Sequence, residues 1–460
     1  MSTIYEHKTQ VKNGIEETFA WHERKGAFRR LMPPWELAEE VRADETLEEG
    51  SQRIFKFPMG PIKMHWVAQH TAYNPPFSFE DKMLKGPFKS WHHTHTFEQD
   101  ELGNTTINDK VKYKLPMGFV GNLVAGRSIR KRLKRMFAAR EIRLQRDLKR
   151  HADFADKPRK KILVAGSSGL IGKQLVAFLD TGGHDVWKLV RREIKKDEKE
   201  IRWQPDLNKI NHEDLEGFDA IIHLGGVGIG DKRWSKKRMK LIEESRTNTT
   251  SLLSNAISKL TSKPESFIVA SAMGWYGERG DEELEETSKK GNGFLSDLCS
   301  KWEEACQAAK DVGVRTINLR TGIVLDATGG ALSKMLFPAK LGFGGPIGRG
   351  KQWFSWISMD DQVYSMHHLL MNENCEGKYN LGSTNPVRQK IFAKTLGKVL
   401  RRPAFIPTPP LAIWFLYGKM GLSLTTESTK INPKRLLESG YLFEHEELES
   451  ALRDSLGIWK

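Results

Sequence analysis

Gly166, Gly169 and Gly172 recur at every third position in the run Ala165-Gly166-Ser167-Ser168-Gly169-Leu170-Ile171-Gly172, a pattern suited to holding a phosphate. The apolar residues Ile162 to Ala165 precede them and read as a buried parallel strand. Leu170, Ile171, Leu175, Val176, Phe178 and Leu179 follow at the spacing of an apolar helix face. A strand, a glycine turn and a helix start make a cradle for a diphosphate. The first glycine turns the chain tightly, the second lets backbone approach the pyrophosphate, and the third lets helix pack on strand. The free N–H groups and positive dipole end of the helix then hold the charge. The spacing is G-x-x-G-x-x-G rather than the commoner G-x-G-x-x-G.

An ordinary strand-turn-helix would look similar, but a second strand, Asp185 to Val190, follows and ends in Arg191-Arg192-Glu193. An acid at that strand end accepts the adenosine ribose hydroxyls and favours NAD, whereas arginine accommodates a 2′-phosphate. Arg191 and Arg192 lie about 20 residues past the last glycine, which predicts NADP(H) as cofactor. Glu193 leaves NAD(H) as the alternative.

A different chemistry is suggested by Trp91-His92-His93-Thr94-His95. On a strand, His93 and His95 share one face and His92 takes the other. Two such imidazoles hold a metal only if a third ligand arrives, and Glu98 and Asp100 are the nearby carboxylates. Structural histidines lining a cavity are the simpler expectation, and no metal is predicted.

The elements that must position these residues divide the chain. A length of 460 residues exceeds one typical core and predicts two or three domains. The cysteines, Cys299, Cys306 and Cys375, form no C-x-x-C pair, so neither a disulfide framework nor a zinc knuckle is expected. The N-terminus has no basic stretch followed by an apolar run, and Leu411 to Leu424 contains Lys419 and is too short to span a bilayer. A cytoplasmic protein is expected. Of the net charge of +15, residues 127 to 161 supply most, with fifteen Lys and Arg against four acids. Ile129, Leu133, Met136, Phe137, Leu144 and Leu148 recur within that stretch at helical spacing, which predicts an amphipathic helix with a basic, solvated face. Contact of the basic helix 127–150 with a membrane or an acidic partner is the alternative. No recognition motif accompanies the charge, so no nucleic-acid partner is predicted.

Before the basic helix, the sequence predicts a helical stretch near 14 to 31 and strands over Gln52 to Phe57, Met64 to Thr71, Trp91 to Glu98 and Thr105 to Leu115. Antiparallel strands followed by one long helix describe a helix-grip arrangement. Residues 1–155 resemble the START-like, polyketide cyclase-like (SRPBCC) superfamily. The resemblance is carried by Pro33-Pro34-Trp35, Gly86-Pro87-Phe88, Trp91 to Phe97 and Asp109-Lys110-Val111-Lys112-Tyr113. It implies a sheet wrapped on a helix around an apolar cavity for a small ligand.

From residue 161 onward strands alternate with helices: Asp185 to Val190, Ala220 to Leu224, Ser266 to Ser271 and Thr316 to Leu319, with helices at 235 to 259 and 294 to 311. That alternation predicts an α/β Rossmann domain, a doubly wound parallel sheet, over 161–330. A C-terminal substrate-side lobe is expected over 331–460. This part resembles the extended short-chain dehydrogenase/reductase superfamily, and within it the "epimerase family protein" branch. The motifs are the glycine loop, His223-Leu224-Gly225-Gly226, Arg233-Trp234, Ser245-Arg246, Ser271 to Gly277, Trp302-Glu303, Arg320-Thr321-Gly322, Leu341 to Gly348 and Trp356 to Asp361. The resemblance implies that Gly166 to Gly172, Arg191, Arg192, His223, Leu224, Gly225, Gly226 and Arg246 border the cofactor.

One departure bears on the reaction. Active members of that superfamily exchange a proton through Tyr-x-x-x-Lys, with a Ser or Thr at the end of a preceding strand. Here the helix reads Gly293-Phe294-Leu295-Ser296-Asp297-Leu298-Cys299, with Leu295 and Cys299 where Tyr and Lys would stand and Ala272 at the usual Ser position. Two expectations follow. The chain is an NADP(H)-dependent oxidoreductase or epimerase of a small molecule, with Ser271 and Tyr276 as catalytic candidates and Arg246 nearby. Alternatively it is an NADP(H)-binding sensor or scaffold tied to a ligand-binding N-terminal domain. Tyr276 also reads as a residue that merely shapes its loop. The glycine-rich segment 341–350 with Trp353 and Trp356 reads equally as a mobile flap over a substrate cleft or as a packed turn. Arg349 and Lys351 read either as partners of an anionic substrate or as exposed charges.

Overall fold

The computed structural model describes residues 2–459 except 45, 60, 61 and 197. The chain divides into two compact units, Met1–Pro158 with Ala177–Gly183, and Arg159–Val176 with His184–Lys460.

In the first unit, strands pair antiparallel in the order Thr3–Val11, Thr105–Lys114, Ser90–Gln99, Ser78–Lys85, Ile62–Asn74, Gln52–Met59 and Glu39–Ala43. The strands predicted from alternation are present. Thr3–Val11, Glu39–Ala43 and Ser78–Lys85 were not foreseen, because Lys, Glu and Asp at their alternate positions obscure strand propensity. The predicted stretch near 14 to 31 is two short helices, Ile15–Glu23 and Ala27–Leu31. The helix Gly118–Ala152 closes the unit. Leu133, Phe137, Leu144 and Leu148 fall on one face of it and are buried. They pack with Trp91, Val111 and Tyr113 toward one end and Phe19, Phe97 and Ile107 toward the other. Arg130, Lys131 and Lys134 are exposed as expected for a solvated face. Arg140 instead lines an interior cavity, and Arg150 is buried.

The second unit is built on a parallel sheet. Its strands lie in the order Glu200–Arg202, Asp185–Val190, Lys161–Ala165, Ala220–His223, Ser266–Ala272, Arg315–Thr321 and Gly377–Leu381. The chain order reverses between Lys161–Ala165 and Ala220–His223. Such a switch point opens a crevice at the carboxyl ends of the strands. The strands carry near-continuous apolar runs because helices cover both faces. Leu163, Ile221, Phe267 and Val269 have no exposed surface and pack with Leu253, Ile257, Trp302 and Cys306. Glu200–Arg202 and Gly377–Leu381, both unpredicted, form the sheet edges. The helical stretch expected over 294–311 is two helices, Phe294–Glu304 and Gln307–Asp311. Beyond the sheet, Gly330–Lys340, Gln389–Leu400 and Leu448–Leu456 enclose a further core around Leu325, Phe354, Trp356 and Phe392. Among the described residues no helix is long and apolar enough to cross a membrane.

Candidate functional site

The glycine turn joins the strand Lys161–Ala165 to the helix Leu170–Thr181. Gly166 has φ +84°, a left-handed conformation that side chains disfavour, and a Cβ there would stand 2.7 Å from Gly225 N and Leu224 C. A Cβ at Gly172 would stand 2.2 Å from Gly166 O. Both positions therefore exclude every side chain, as close packing of helix on strand beneath a pyrophosphate requires. Gly169 N donates to Gly166 O at 3.0 Å and closes the turn. Ser167, Ser168, Leu170 and Ile171 keep exposed surface around it. The donor set and the bare backbone at the switch point fit a dinucleotide.

The two arginines after the second strand part company. Arg192 makes a two-point pair with Glu200, Nη1–Oε2 at 2.8 Å and Nη2–Oε1 at 2.5 Å. The sheet-edge strand causes this, since its register sets Glu200 beside Lys188. In this structure the Arg192 guanidinium, expected to read a phosphate, is paired with Glu200. Arg191 is exposed, and among the described residues no hydrogen bond or ion pair engages it.

His223 and Arg246 sit beneath the adjoining loop. His223 has no exposed surface, and its Nε2 lies 3.0 Å from Thr249 Oγ1 while Gly225 N donates to Nδ1 at 3.4 Å. Burial, aided by the charges of Arg191 and Arg246, pushes its pKa down to about 3, so it is a neutral prop. Arg246 donates to Ile242 O at 3.0 Å and stacks over Trp302 at 5.1 Å. Burial lowers its pKa to about 10, which leaves it charged at neutral pH. A Cβ on Gly226 would meet Arg246 Cζ at 2.9 Å. His223 and Arg246 therefore support the loop Leu224-Gly225-Gly226 from below.

Ser271 and Tyr276 are brought into one buried network. Ser271 Oγ donates to Glu303 Oε1 at 2.9 Å. Glu303 also accepts from Arg320 Nε at 2.8 Å and Nη2 at 2.9 Å. Arg320 Nη1 donates to the Tyr276 oxygen at 3.1 Å, and Tyr276 in turn donates to Asn380 Oδ1 at 2.7 Å. The Arg320 guanidinium lies 3.9 Å from the Trp275 ring centre. Burial pushes the Tyr276 phenol up to about 12 despite Arg320 beside it. Both hydroxyls are thus committed internally. Cys299, at the position of the usual lysine, is buried with Sγ 3.6 Å from Ala272 O, and burial pushes its thiol up to about 12. Leu295 packs on Gly274. Glu303, Arg320 and Asn380 were not recognised in the sequence as a set. Trp302-Glu303 and Arg320-Thr321 were visible motifs, but their pairing depends on strand and helix coming together.

The glycine-rich segment is the packed turn. Thr408 N donates to Pro346 O at 2.8 Å, and Gly348 N to Thr408 O at 2.9 Å. Trp356 has no exposed surface and donates to Asn385 O at 3.1 Å, so it belongs to the core rather than to a cleft. Trp353 lies between Arg388 at 4.1 Å and Lys430 at 5.1 Å and donates to Asp281 at 3.1 Å. Arg349 and Lys351 are exposed.

The first unit holds a half-open cavity of about 510 Å³ between sheet and long helix. Phe55, Phe57, Trp66, Phe88 and Leu133 make its apolar wall, while His70, Asp81, His93, His95 and Arg140 share the remainder. Burial lowers the pKa values of His93 and His95, and Asp109 partly opposes this. Burial alone would raise Asp109, but His95 and His93 hold it well below the usual carboxylate range. Glu98 and Asp100, the carboxylates nearest in sequence, are spent elsewhere. Glu98 accepts from Asn108 at 3.4 Å, and Asp100 caps the turn at Leu102 and Asn104. His92 is on the opposite face and pairs with Glu80 at 3.0 Å.

Comparison with known proteins bears on the second unit most directly. Residues 162–382 match the NAD dependent epimerase/dehydratase family, and residues 408–455 match a domain of unknown function, DUF1731. An epimerase family protein of Mycobacterium bovis is 33% identical over 291 residues, covering 63% of this chain and 96% of that protein. The crystal structure of human epimerase family protein SDR39U1 with NADPH superposes with TM-score 0.60 at 33% identity, covering 64% of this chain and 98% of that one. A structure described as the nucleoside-diphosphate sugar epimerase from Corynebacterium glutamicum reaches TM-score 0.81 at 31% identity, covering 98% of this chain and 90% of that one. With a Rossmann-like sheet, a bare glycine cradle at its switch point and relatives matched along nearly their whole length, the chain belongs to the NAD(P)-dependent epimerase/dehydratase family.

Proposed function

We propose that this protein binds NADP(H) in preference to NAD(H) and acts as an oxidoreductase- or epimerase-like protein on a small molecule, without a Tyr-x-x-x-Lys proton relay. The observation that carries the cofactor reading is Arg191, exposed and unengaged among the described residues, at the strand end beside the glycine cradle. A guanidinium there suits a 2′-phosphate and has no counterpart for a bare ribose hydroxyl. The relative crystallised with NADPH supports the same choice. Gly166 to Gly172 would hold the pyrophosphate on the helix N-terminus, with Leu224, Gly225 and Gly226 on the adjoining strand end. The bound nicotinamide would supply or accept hydride. In this reading the C-terminal lobe, 331–460, provides the substrate side. Residues 1–155 form a START-like, helix-grip domain that takes a small apolar ligand in its cavity, a reading supported by the antiparallel sheet, the long helix and the half-open cavity between them.

A second reading is favoured by the buried network. The Ser271 and Tyr276 hydroxyls are committed to Glu303, Arg320 and Asn380, which takes from both candidates a free group to exchange a substrate proton. It would then serve as an NADP(H)-binding sensor or scaffold that also carries a ligand-binding domain. Native mass spectrometry of the protein as purified separates these outcomes. Retained NADP(H) is expected, and multiple-turnover oxidation of added NADPH by the co-purified molecule, once identified and supplied in excess, supports the enzyme. Retained cofactor with no hydride transfer supports the sensor. A protein that ignores both NADPH and NADH would overturn both readings.

A further inference from the structure

The antiparallel register in the first unit places Asp81 directly opposite His93, and Asp109 directly opposite His95. Since residues two apart on a strand share a face, all these side chains point to the same side of the sheet, onto the cavity and the long helix. His93 lies between two carboxylates, with Nδ1 3.6 Å from Asp81 Oδ2 and Nε2 3.1 Å from Asp109 Oδ1. His95 Nδ1 lies 2.7 Å from the same Asp109 oxygen. Asp81, His93 and His95 each present one ligand atom, and these atoms lie within 4.8 Å of one another.

We propose that Asp81, His93 and His95 form a binding site for a divalent first-row transition ion of the Zn²⁺ or Fe²⁺ class, with Asp109 orienting the His93 imidazole from behind. Two nitrogens and a carboxylate oxygen at about 2.0–2.2 Å from a common ion stand closer together than the 4.8 Å within which these atoms lie, so the side chains would draw in on the ion. A carboxylate behind a ligating histidine fixes its tautomer and raises its basicity, and Asp109 stands in that position for His93, whose Nε2 it meets at 3.1 Å. Two imidazoles and one carboxylate select a transition ion over Mg²⁺ or Ca²⁺, whose coordination is dominated by oxygen. Three protein ligands leave at least one position open to the cavity. Arg140, whose Nε has no hydrogen-bond partner among the described residues, lines the same cavity and adds a positive charge for an anionic group that would fill that position.

The site is independent of the dinucleotide cradle, so its test uses the full chain with NADPH binding as an internal reference. Metal-stripped protein is dialysed against Zn²⁺, and bound zinc is counted by mass spectrometry. Co²⁺ is added separately and its visible absorption recorded. About one Zn²⁺ per chain and a Co²⁺ spectrum of mixed nitrogen and oxygen ligation are expected. Asp81→Asn and His95→Gln should each abolish both signals, and Asp109→Asn should weaken Zn²⁺ about 10- to 100-fold, with NADPH affinity unchanged throughout. Wild-type protein that takes up no zinc and shows no Co²⁺ spectrum would overturn the site, whatever the variants do. So would variants that keep the wild-type uptake.

Discussion

Gly166 shows how much one backbone conformation can carry. Its φ of +84° and the 2.7 Å approach to the neighbouring strand end leave no room for a methyl group. Gly166→Ala should therefore abolish measurable NADPH binding in a titration, beyond the modest strain of about 1 kcal/mol that a left-handed alanine alone costs. Arg191 and Arg192 make a sharper comparison. Arg191→Ala should weaken NADPH by about tenfold or more, equivalent to about 1.4 kcal/mol, and leave NADH unchanged. Arg192→Ala should alter neither, because its guanidinium is occupied by Glu200. Equal losses for the two cofactors would remove the basis for an NADP(H) preference. At His223 the prediction concerns pH. Burial lowers its folded pKa to about 3 from an ordinary value of 6.5, so between those values the unfolded chain binds the extra proton and stability falls as pH falls. Acidifying from pH 6.5 to 5 should cost about 2 kcal/mol from this residue. His223→Gln should flatten the melting temperature over that interval, and an unchanged pH slope would contradict the assignment.

At the scale of elements, the network between the strand Ser266–Ala272, the strand Arg315–Thr321 and the helix Phe294–Glu304 decides what the chemistry can be. Glu303 is 4% exposed and Arg320 not at all, so the pair has no solvent to fall back on. Removing one member leaves the other charged and buried, a change that typically costs about 3–5 kcal/mol. Glu303→Gln should lower the melting temperature of the full chain markedly, and so should Arg320→Met. Tyr276→Phe leaves the ion pair in place and loses the bridge between Arg320 and Asn380, at about 1 kcal/mol for each of its two hydrogen bonds. If Tyr276→Phe instead eliminated hydride transfer while leaving stability and NADPH affinity intact, the phenol would have to be a proton carrier after all. The strands Glu200–Arg202 and Gly377–Leu381 matter for the same reason. Each supplies one residue, Glu200 or Asn380, that satisfies a group which the sequence alone leaves open for catalysis or binding.

For the molecule as a whole, the mycobacterial and human relatives are matched over nearly their full length by about two-thirds of this chain, 63% and 64% respectively. A comparable stretch is thus an entire protein elsewhere. A fragment comprising residues 159–460 should therefore bind NADPH with the affinity of the full chain, measured by calorimetry. Loss of binding in a folded fragment would mean that the first 158 residues complete the dinucleotide site.

The sequence by itself determined the parts of this protein that depend on local order. Periodicity marked the central strands of the parallel sheet, the long amphipathic helix and the central antiparallel strands, because burial on one or two faces imposes a repeat. The glycine loop was legible because backbone freedom is a property of the residue type itself. The tertiary structure alone decided which polar groups are free. It took Arg192 for Glu200, joined Ser271 to Tyr276 through Glu303 and Arg320, and put Trp356 into a core. It also replaced Glu98 and Asp100 beside His93 with Asp81 and Asp109. A hydrogen bond or ion pair is satisfied by whatever lies within about 3 Å in space. Pairing between strands sets that proximity across many intervening residues, where no spacing along the chain can report it.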